Sequence, residues 1–505
     1  MSKTTKLICF VFLSIINLIL ILLGIAIFRA VVLPKEHLPV LCSTNDIDYV
    51  SDQRGLSNHL SEALKFQTVN YAEHTYIRDE IHKFVLYIAK SFPVLHKSPL
   101  VSREVVNDLS LLYHVKGSNK SLKPYLLAGH LDVVPVEELY WEVPPFSGEI
   151  KNGYIWGRGS IDCKHVVMGI LEALEYLLEK GYKPQRSFYI AFGHDEESNG
   201  LDGAQSISSL LKSRNIKLEY ILDEGTFVLE DLIPGINFPV ALISTSEKGA
   251  LNIELSVKDA PGHSSFPKRE SPIVILSKAL GKLEGDMFPS SFGKGPEITM
   301  LEELAYCAPL PLKTVLANTW LFKPFIPLFM RQPIMSAVHR TTTAVTIVKG
   351  GNKLNVIPST AVGSVNFRIH PAQTVQEVLE YVKNIINDNR VKIKVLSEHQ
   401  PHPISPIDSF GYLNIKKSIK QIYKEACVVP NLLIANTDTK WYLDFTDSIY
   451  RFSLVRMKMN ETRRFHGHNE RIAIKNYVEV VNFYVHLIKN SDETEVIIKH
   501  EHSEL

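Results

Sequence analysis

Apolar positions along the chain follow three rhythms. From Leu7 to Val32 they are nearly continuous, broken only by Ser14, Asn17, Gly24 and Arg29. That is enough residues for a helix to cross a bilayer, and Lys3 and Lys6 precede it as in a signal sequence or signal anchor. Beyond Ser57 helical spacing alternates with short, wholly apolar runs. Ile81, Phe84, Val85 and Ile88 share one helix face, and Tyr125–His130 reads as a buried strand. A helix is predicted at about Lys164–Lys180, with Val167, Ile170, Leu171, Leu174 and Leu178 on one face and Gly181 stopping it. Strands follow at Ser187–Phe192 and Leu218–Leu222. Alternating strands and helices predict an α/β fold with a mainly parallel sheet.

Near Glu247 the rhythm changes to strict alternation, at 251–257, in part at 344–348, and at 363–369. One-sided strands of this kind belong to an antiparallel sheet with one wet face. Thr374-Val375-Gln376-Glu377 has the form of a capping box opening a helix through Ile386, and Val391–Leu396 reads as a last strand. This predicts an inserted α+β unit, after which the chain returns to α/β character and ends in a helix near Ile474–Ile488. The expected divisions are 1–33 for the signal segment, 45–245 for the first part of a catalytic domain, 246–400 for the insertion, 401–490 for the second part of the catalytic domain and 491–505 for a polar tail. Within the insertion, 285–338 is rich in proline and apolar residues, among them Pro309, Pro311, Trp320, Phe325 and Pro327. Such density forbids a long helix and predicts either packed loop or a greasy wall for a ligand or a membrane.

Composition narrows the function. With 55 basic and 54 acidic side chains the net charge is +1, so there is no basic field for nucleic acid. The N-terminal run directs the body into the secretory pathway. Cleavage between about Ala26 and Ala30 would release a secreted protein; without it the body is membrane-anchored on the luminal side. Asn119-Lys120-Ser121 and Asn460-Glu461-Thr462 are glycosylation acceptors consistent with that route, and His502-Ser503-Glu504-Leu505 is similar to an endoplasmic-reticulum retrieval tail. Outside the N-terminal run the cysteines are Cys42, Cys163, Cys307 and Cys427, of which two could be bridged.

The candidate chemistry sits where open α/β sheets place it, at strand ends. His130 closes one strand, with Asp132 two residues on and suited to accept from the other ring nitrogen. Asp162 follows the glycine-rich turn Gly157-Arg158-Gly159-Ser160-Ile161. Glu196 and Glu197 follow the next strand, Asp223 ends another, and His466 lies far downstream in Phe465-His466-Gly467-His468-Asn469-Glu470. Carboxylates gathered this way repel one another unless a cation neutralises them, and two histidines with three carboxylates suit zinc.

Gly129-His130-Leu131-Asp132, the 157–164 turn, Asp195-Glu196-Glu197, Asp223-Glu224-Gly225, Pro261-Gly262-His263-Ser264-Ser265 and His466-Gly467-His468-Asn469-Glu470, in this order, resemble the co-catalytic zinc peptidase family of aminoacylases and carnosinases over roughly 50–490. The resemblance implies two zinc ions bridged by Asp162, one completed by Glu197 and His466 and the other by His130 and Asp223. It implies Glu196 as general base and a ferredoxin-like lid that also dimerises. His263 would oppose the oxyanion charge, in many relatives from a partner subunit. Arg368, Lys440 and Asn355 are the candidates for holding a substrate carboxylate. Relatives commonly carry arginine where Lys440 stands, and Asp or Asn where Cys163 stands. Within the family the chain is most similar to members acting on lipidated amino acids. That implies reversible hydrolysis of N-fatty-acyl amino acids, with a lipid-particle or membrane surface as a further expected partner. The alternatives are a dipeptidase, carboxypeptidase or short-chain aminoacylase on the same site, or a non-catalytic carrier of acyl amino acids.

Overall fold

A computed structural model describes residues 3–33, 48–232, 235–285, 287–329 and 333–493; Cys42 and most of the expected tail lie outside them. The apolar N-terminal run forms one helix, α1 (Lys3–Val32). After it the chain lays down β1 (Val101–Val106), β2 (Ser110–Val115), β3 (Tyr125–His130), α2 (Lys164–Glu179), β4 (Phe188–Gly193), β5 (Ile221–Leu229) and β6 (Val240–Glu247). Next come β7 (Gly249–Lys258), β8 (Gly262–His263), α3 (Pro272–Gly281) and α4 (Pro296–Cys307), then the short helices α5 (Leu312–Leu316), α6 (Thr319–Phe322) and α7 (Ile326–Phe329). The insertion continues with β9 (Thr342–Gly350), β10 (Val356–Ile357), β11 (Thr360–Ile369), α8 (Val375–Ile386) and β12 (Lys392–His399). The last stretch supplies α9 (Phe410–Ile422), β13 (Cys427–Leu433), β14 (Ile449–Met457) and α10 (Ile474–Asn490).

Eight strands form the central sheet in the order β13-β6-β14-β5-β3-β4-β2-β1. Its middle, β14-β5-β3-β4, is parallel, so the carboxyl ends of these strands open onto one edge. The antiparallel β1–β2 hairpin closes one side of the sheet. Strands buried on both faces read as continuous apolar runs, which is why β3 and β4 were legible in the sequence. The Leu218–Leu222 strand runs later than expected, as β5 to Leu229, so Asp223 stands inside a strand and not at its end.

The second sheet has the order β9-β11-β7-β12, all antiparallel. Alternate residues of β7, Leu251, Ile253, Leu255 and Val257, meet Ile275, Leu276, Leu280, Val378 and Val382 from α3 and α8 in a core of their own. Both helices thus lie on one face, the ferredoxin-like arrangement. The Thr374 hydroxyl accepts from the Glu377 N–H at 3.2 Å while the Glu377 carboxylate accepts from the Thr374 N–H at 2.7 Å, completing the capping box. Proline does not prevent α4, because Pro296 sits in its first turn, where no N–H is needed. A disulfide joins Cys307 at the end of α4 to Cys427 at the start of β13, while Cys163 is buried and free.

A buried ion pair ties the sheet together beneath the site. Glu247 accepts from Arg451 Nε at 2.7 Å and from the Thr437 and Thr439 hydroxyls at 2.6 Å each. Burial alone would raise this carboxyl, yet His402, Arg451 and the two hydroxyls bring it down to about 2. Removing one member leaves the other charge buried and unpaired, so Glu247→Leu should cost ~3–5 kcal/mol in a denaturant titration at neutral pH. Since the folded value lies below the ~4.3 of a free glutamate, the wild type should lose this contribution as pH falls from about 4 to about 2. The gap between the two proteins should narrow over that range; a gap that does not change with pH would contradict this.

Candidate metal centre

The open edge of the parallel strands gathers histidines and carboxylates from five segments. His130 ends β3, and its Nδ1 faces the Asp132 carbonyl at 2.9 Å and carboxylate at 3.3 Å. Asp132 is fully buried and accepts from Asn70 Nδ2 at 2.9 Å and from the Glu196 and Glu197 N–H groups at 3.2 and 3.1 Å. One carboxylate therefore orients the imidazole and fixes the loop carrying both glutamates. No sequence signal marked Asn70.

Asp162 occupies the turn before α2, followed by a cis peptide bond to Cys163. Its two oxygens face different partners. Oδ1 lies 3.1 Å from His130 Nε2, and Oδ2 lies 2.7 Å from His466 Nε2. His466 Nε2 is also 3.2 Å from Glu197 Oε2, and His130 Nε2 is 3.5 Å from Glu224 Oε1. Pairwise distances thus set His130 beside Asp162 and Glu224, and His466 beside Asp162 and Glu197, while donor atoms of His130, Asp162 and Glu197 also lie within 4.8 Å of one another.

Glu224, and not Asp223, enters the first group. Adjacent strand residues point to opposite faces, so only one of the pair can reach His130. Asp223 is buried, pairs in register with Arg451, and accepts from the Glu224 N–H at 2.9 Å. Asp162, Glu196, Glu197, Glu224 and His466 line the cleft, while Asp223 and His130 are not among its lining residues. Asp223, the residue expected in the metal-ligand set, stands one position away, with its Oδ2 buried and without a hydrogen-bond partner among the described residues. The sequence reading left Glu224 without a role, because a strand end set too early hid which face it takes.

A second residue without an assigned role holds the centre together. Glu470, fully buried, accepts from the N–H groups of Gly159, Ile161 and Asp162 at 3.0, 2.7 and 3.2 Å and from Arg158 Nη1 at 2.6 Å. Arg158 donates onward to the His466 and Gly467 carbonyls at 3.3 and 3.0 Å. His466 is left-handed, with φ 56°, and a Cβ on Gly467 would lie 2.0 Å from the Arg463 carbonyl oxygen. Glycine is the residue that lets this loop close.

Charge in the cleft fits a cation. Burial would raise the Asp162 carboxyl, but hydrogen bonds from His130 and His466 hold it well below the usual range. Burial and the Asp162 charge push Glu197 up to about 7 and Glu224 up to about 8. Burial also raises Glu196 well above the ordinary carboxylate value, and the neighbouring glutamates add to it. Glu197 Oε1 is buried with no hydrogen-bond partner, as expected of an oxygen awaiting a ligand. Burial likewise raises the Cys163 thiol well above its usual value, keeping it protonated, and its sulfur accepts from the His130 N–H at 3.1 Å.

The cleft is about 620 Å³ and lies between the two sheets. Arg368 and Lys440 both line it; Arg368 donates to Asn436, and Lys440 Nζ lies 3.4 Å from Asn199 Oδ1. Phe227, Leu433, Ile434 and Phe465 provide apolar wall. Two expected residues stand elsewhere. His263 is exposed on β8, paired with β10, and the Ser264 N–H donates to the carbonyl of exposed Asn355 at 3.1 Å. Among the described residues neither lines the cleft. His468 likewise stays out, 3.2 Å from Glu137. Nor does the cleft draw on 285–338, so that apolar stretch is not its wall.

The family model described as peptidase family M20/M25/M40 matches residues 126–490. The chain is 46% identical over 443 residues to the N-fatty-acyl-amino acid synthase/hydrolase PM20D1 of Xenopus tropicalis, covering 87% of this chain and 86% of that one. It is 45% identical over 447 residues to the Homo sapiens protein of the same description, covering 88% and 89%. In fold it is similar to an M20 family metallo-carboxypeptidase of Sulfolobus solfataricus, with a TM-score of 0.65 at 20% identity over 86% of this chain and 99% of that one. The chain belongs to peptidase family M20/M25/M40, whose members are metal-dependent, and is a hydrolase of amide bonds.

Proposed function

We propose that the chain interconverts N-fatty-acyl amino acids with free fatty acid and amino acid at a two-zinc centre in this cleft. The observation that carries the two-metal reading is Asp162, whose oxygens divide between two donor groups. His130 and Glu224 would complete one ion and Glu197 and His466 the other, nitrogen and oxygen donors that suit zinc. The substrate class is supported by the two vertebrate relatives, whose descriptions name that reaction. It is supported also by the apolar wall of Phe227, Leu433, Ile434 and Phe465, which can take an acyl chain.

When bound, the zinc ions supply Lewis acidity to the attacking water and the amide oxygen. The chain's own residues do the rest. Glu196 takes one proton from the water and delivers it to the departing nitrogen as the C–N bond breaks; synthesis uses the same carboxyl in reverse. Asp132 holds His130 and the 196–197 backbone in place. Arg368 and Lys440, on facing walls, fix the amino-acid carboxylate, and a lysine offers a point charge where an arginine offers a fork.

The 246–400 insertion acts in this reading as a lid and dimer unit. His263 and Asn355 lie together at the short antiparallel β8–β10 pairing, outside the lining of the chain's own cleft, which supports delivery of His263 from a second copy. The exposed edge strand β9, with Val345, Ile347 and Val348 at its surface, supports a face for that contact.

Four outcomes are expected. Glu196→Gln should lower turnover ~10²–10⁴-fold with bound metal unchanged, and retained turnover would remove it as the base. By mass spectrometry of metals, Glu224→Gln should bind less zinc per chain than Asp223→Asn; the reverse order would restore Asp223. Ile434→Lys should slow oleoyl-phenylalanine more than acetyl-phenylalanine, and equal slowing would detach the acyl chain from this wall. The wild type should turn over oleoyl-phenylalanine faster than a plain dipeptide, and the reverse order would favour a dipeptidase on the same centre.

A further inference from the structure

The apolar stretch that the cleft does not use has a different partner in the structure, the C-terminal turns of α1. Asn318, between α5 and α6, has no solvent exposure, and its side-chain amide donates to the Ala26 carbonyl at 2.9 Å and to the Thr314 carbonyl at 2.8 Å. Lys313 Nζ reaches the Leu33 carbonyl at 2.9 Å. Ala26 and Ala30, one helical turn apart, are 0% and 1% exposed, although most of α1 around them is bare. A buried amide keeps its place only with its hydrogen bonds made, and this one is made to α1.

The position along α1 is informative. At ~1.5 Å per residue, Leu7 to Ala26 spans about 30 Å, the thickness of a bilayer's hydrocarbon core. The contacts with 313–318 begin where that length ends. Lys3 and Lys6 before the run put its N-terminus on the cytosolic side and the body in the lumen. Beside this junction stand apolar side chains that the described residues leave exposed: Leu310 at 57%, Trp320 at 52%, Phe325 at 56% and Leu328 at 52% exposure. Tryptophan and phenylalanine next to lysine are residues that settle at a lipid–water boundary, and Lys323 is exposed between them. The segment is not a loose flap, since Leu316 joins the main core and the Cys307–Cys427 disulfide fastens the preceding helix α4 to the central sheet.

We propose that α1 is retained in the mature chain as a single membrane span, and that 309–329 is a docking face for the luminal leaflet. Ala26–Leu33 and Asn318 form the joint between them. Loss of α1 by cleavage near Ala26–Ala30 would expose the Asn318 amide and the surface under the two alanines; retention leaves both satisfied. The face presents its apolar side chains to lipid, and the joint holds the catalytic body at the membrane surface. The docking does not depend on the chemistry assigned to the cleft. If the acyl-amino-acid reading also holds, the enzyme stands where its amphiphilic substrates partition, since each methylene of an acyl chain adds to membrane affinity.

The test uses the full chain made in cells with a secretory pathway. Intact-mass measurement should find the α1 residues present, and the protein should stay with membranes through alkaline carbonate extraction. In phosphatidylcholine vesicles, a polarity-sensitive dye on Phe325→Cys, with Cys9 and Cys42 changed to serine, should shift to the blue and be quenched by nitroxide-labelled lipid. A mature chain that begins beyond Ala30 and appears in the medium would overturn retention of the span. A retained chain whose dye reads as in water and escapes the lipid quencher would overturn the docking face. Neither readout involves turnover, so the catalytic reading stands or falls separately.

Discussion

The centre depends on the buried carboxylate of Glu470. It collects three backbone N–H groups of the turn carrying Asp162, and its partner Arg158 grips the carbonyls of His466 and Gly467. Two segments some three hundred residues apart in sequence are thereby fixed against each other, and with them the two sides of the donor set. A charged pair in a dry interior gives little net stability against an apolar substitute. It does set direction, because five donors on a fork and two carboxylate oxygens satisfy each other in few geometries. Asp162 can divide its oxygens between His130 and His466 only while that frame holds.

Above this frame, negative charge is concentrated beyond what the protein alone neutralises. Asp162, Glu196, Glu197 and Glu224 share a cleft with two imidazoles, and burial pushes three of the four carboxyls upward. Such a site answers by taking up protons or by taking up cations, and the geometry of the donors selects the cation. The neighbouring Glu247–Arg451 pair shows the contrast. There every oxygen has a partner within the chain, the carboxyl is lowered, and the pair is structural.

Much of this was legible in the sequence where one physical signal dominated. Doubly buried strands gave apolar runs at β3 and β4, one-sided strands gave alternation at β7 and β11, and the Thr374 capping box marked α8. The turn from Gly157 to Asp162 announced itself by glycine. Reading failed where the signal depended on tertiary placement. Asp223 and Glu224 take opposite faces of β5, and a strand end set too early left Glu224 out of the reading. The roles of Glu470 and Asn70 lie in contacts across the fold. The 285–338 stretch left packed loop and a wall for a ligand or membrane open, because local apolarity does not say what lies against it; at Asn318 it is α1 and not the cleft. His263 was recognisable as a residue, but its place outside its own cleft follows from the pairing of β8 with β10, strands far apart in sequence, which no local pattern locates.

The most direct test of the account is a crystal structure of the zinc-loaded protein with anomalous scattering recorded at the zinc edge. Two peaks sharing the Asp162 carboxylate, one completed by His130 and Glu224 and the other by Glu197 and His466, are the predicted result. A single peak, or two peaks with Asp223 in place of Glu224, would contradict it.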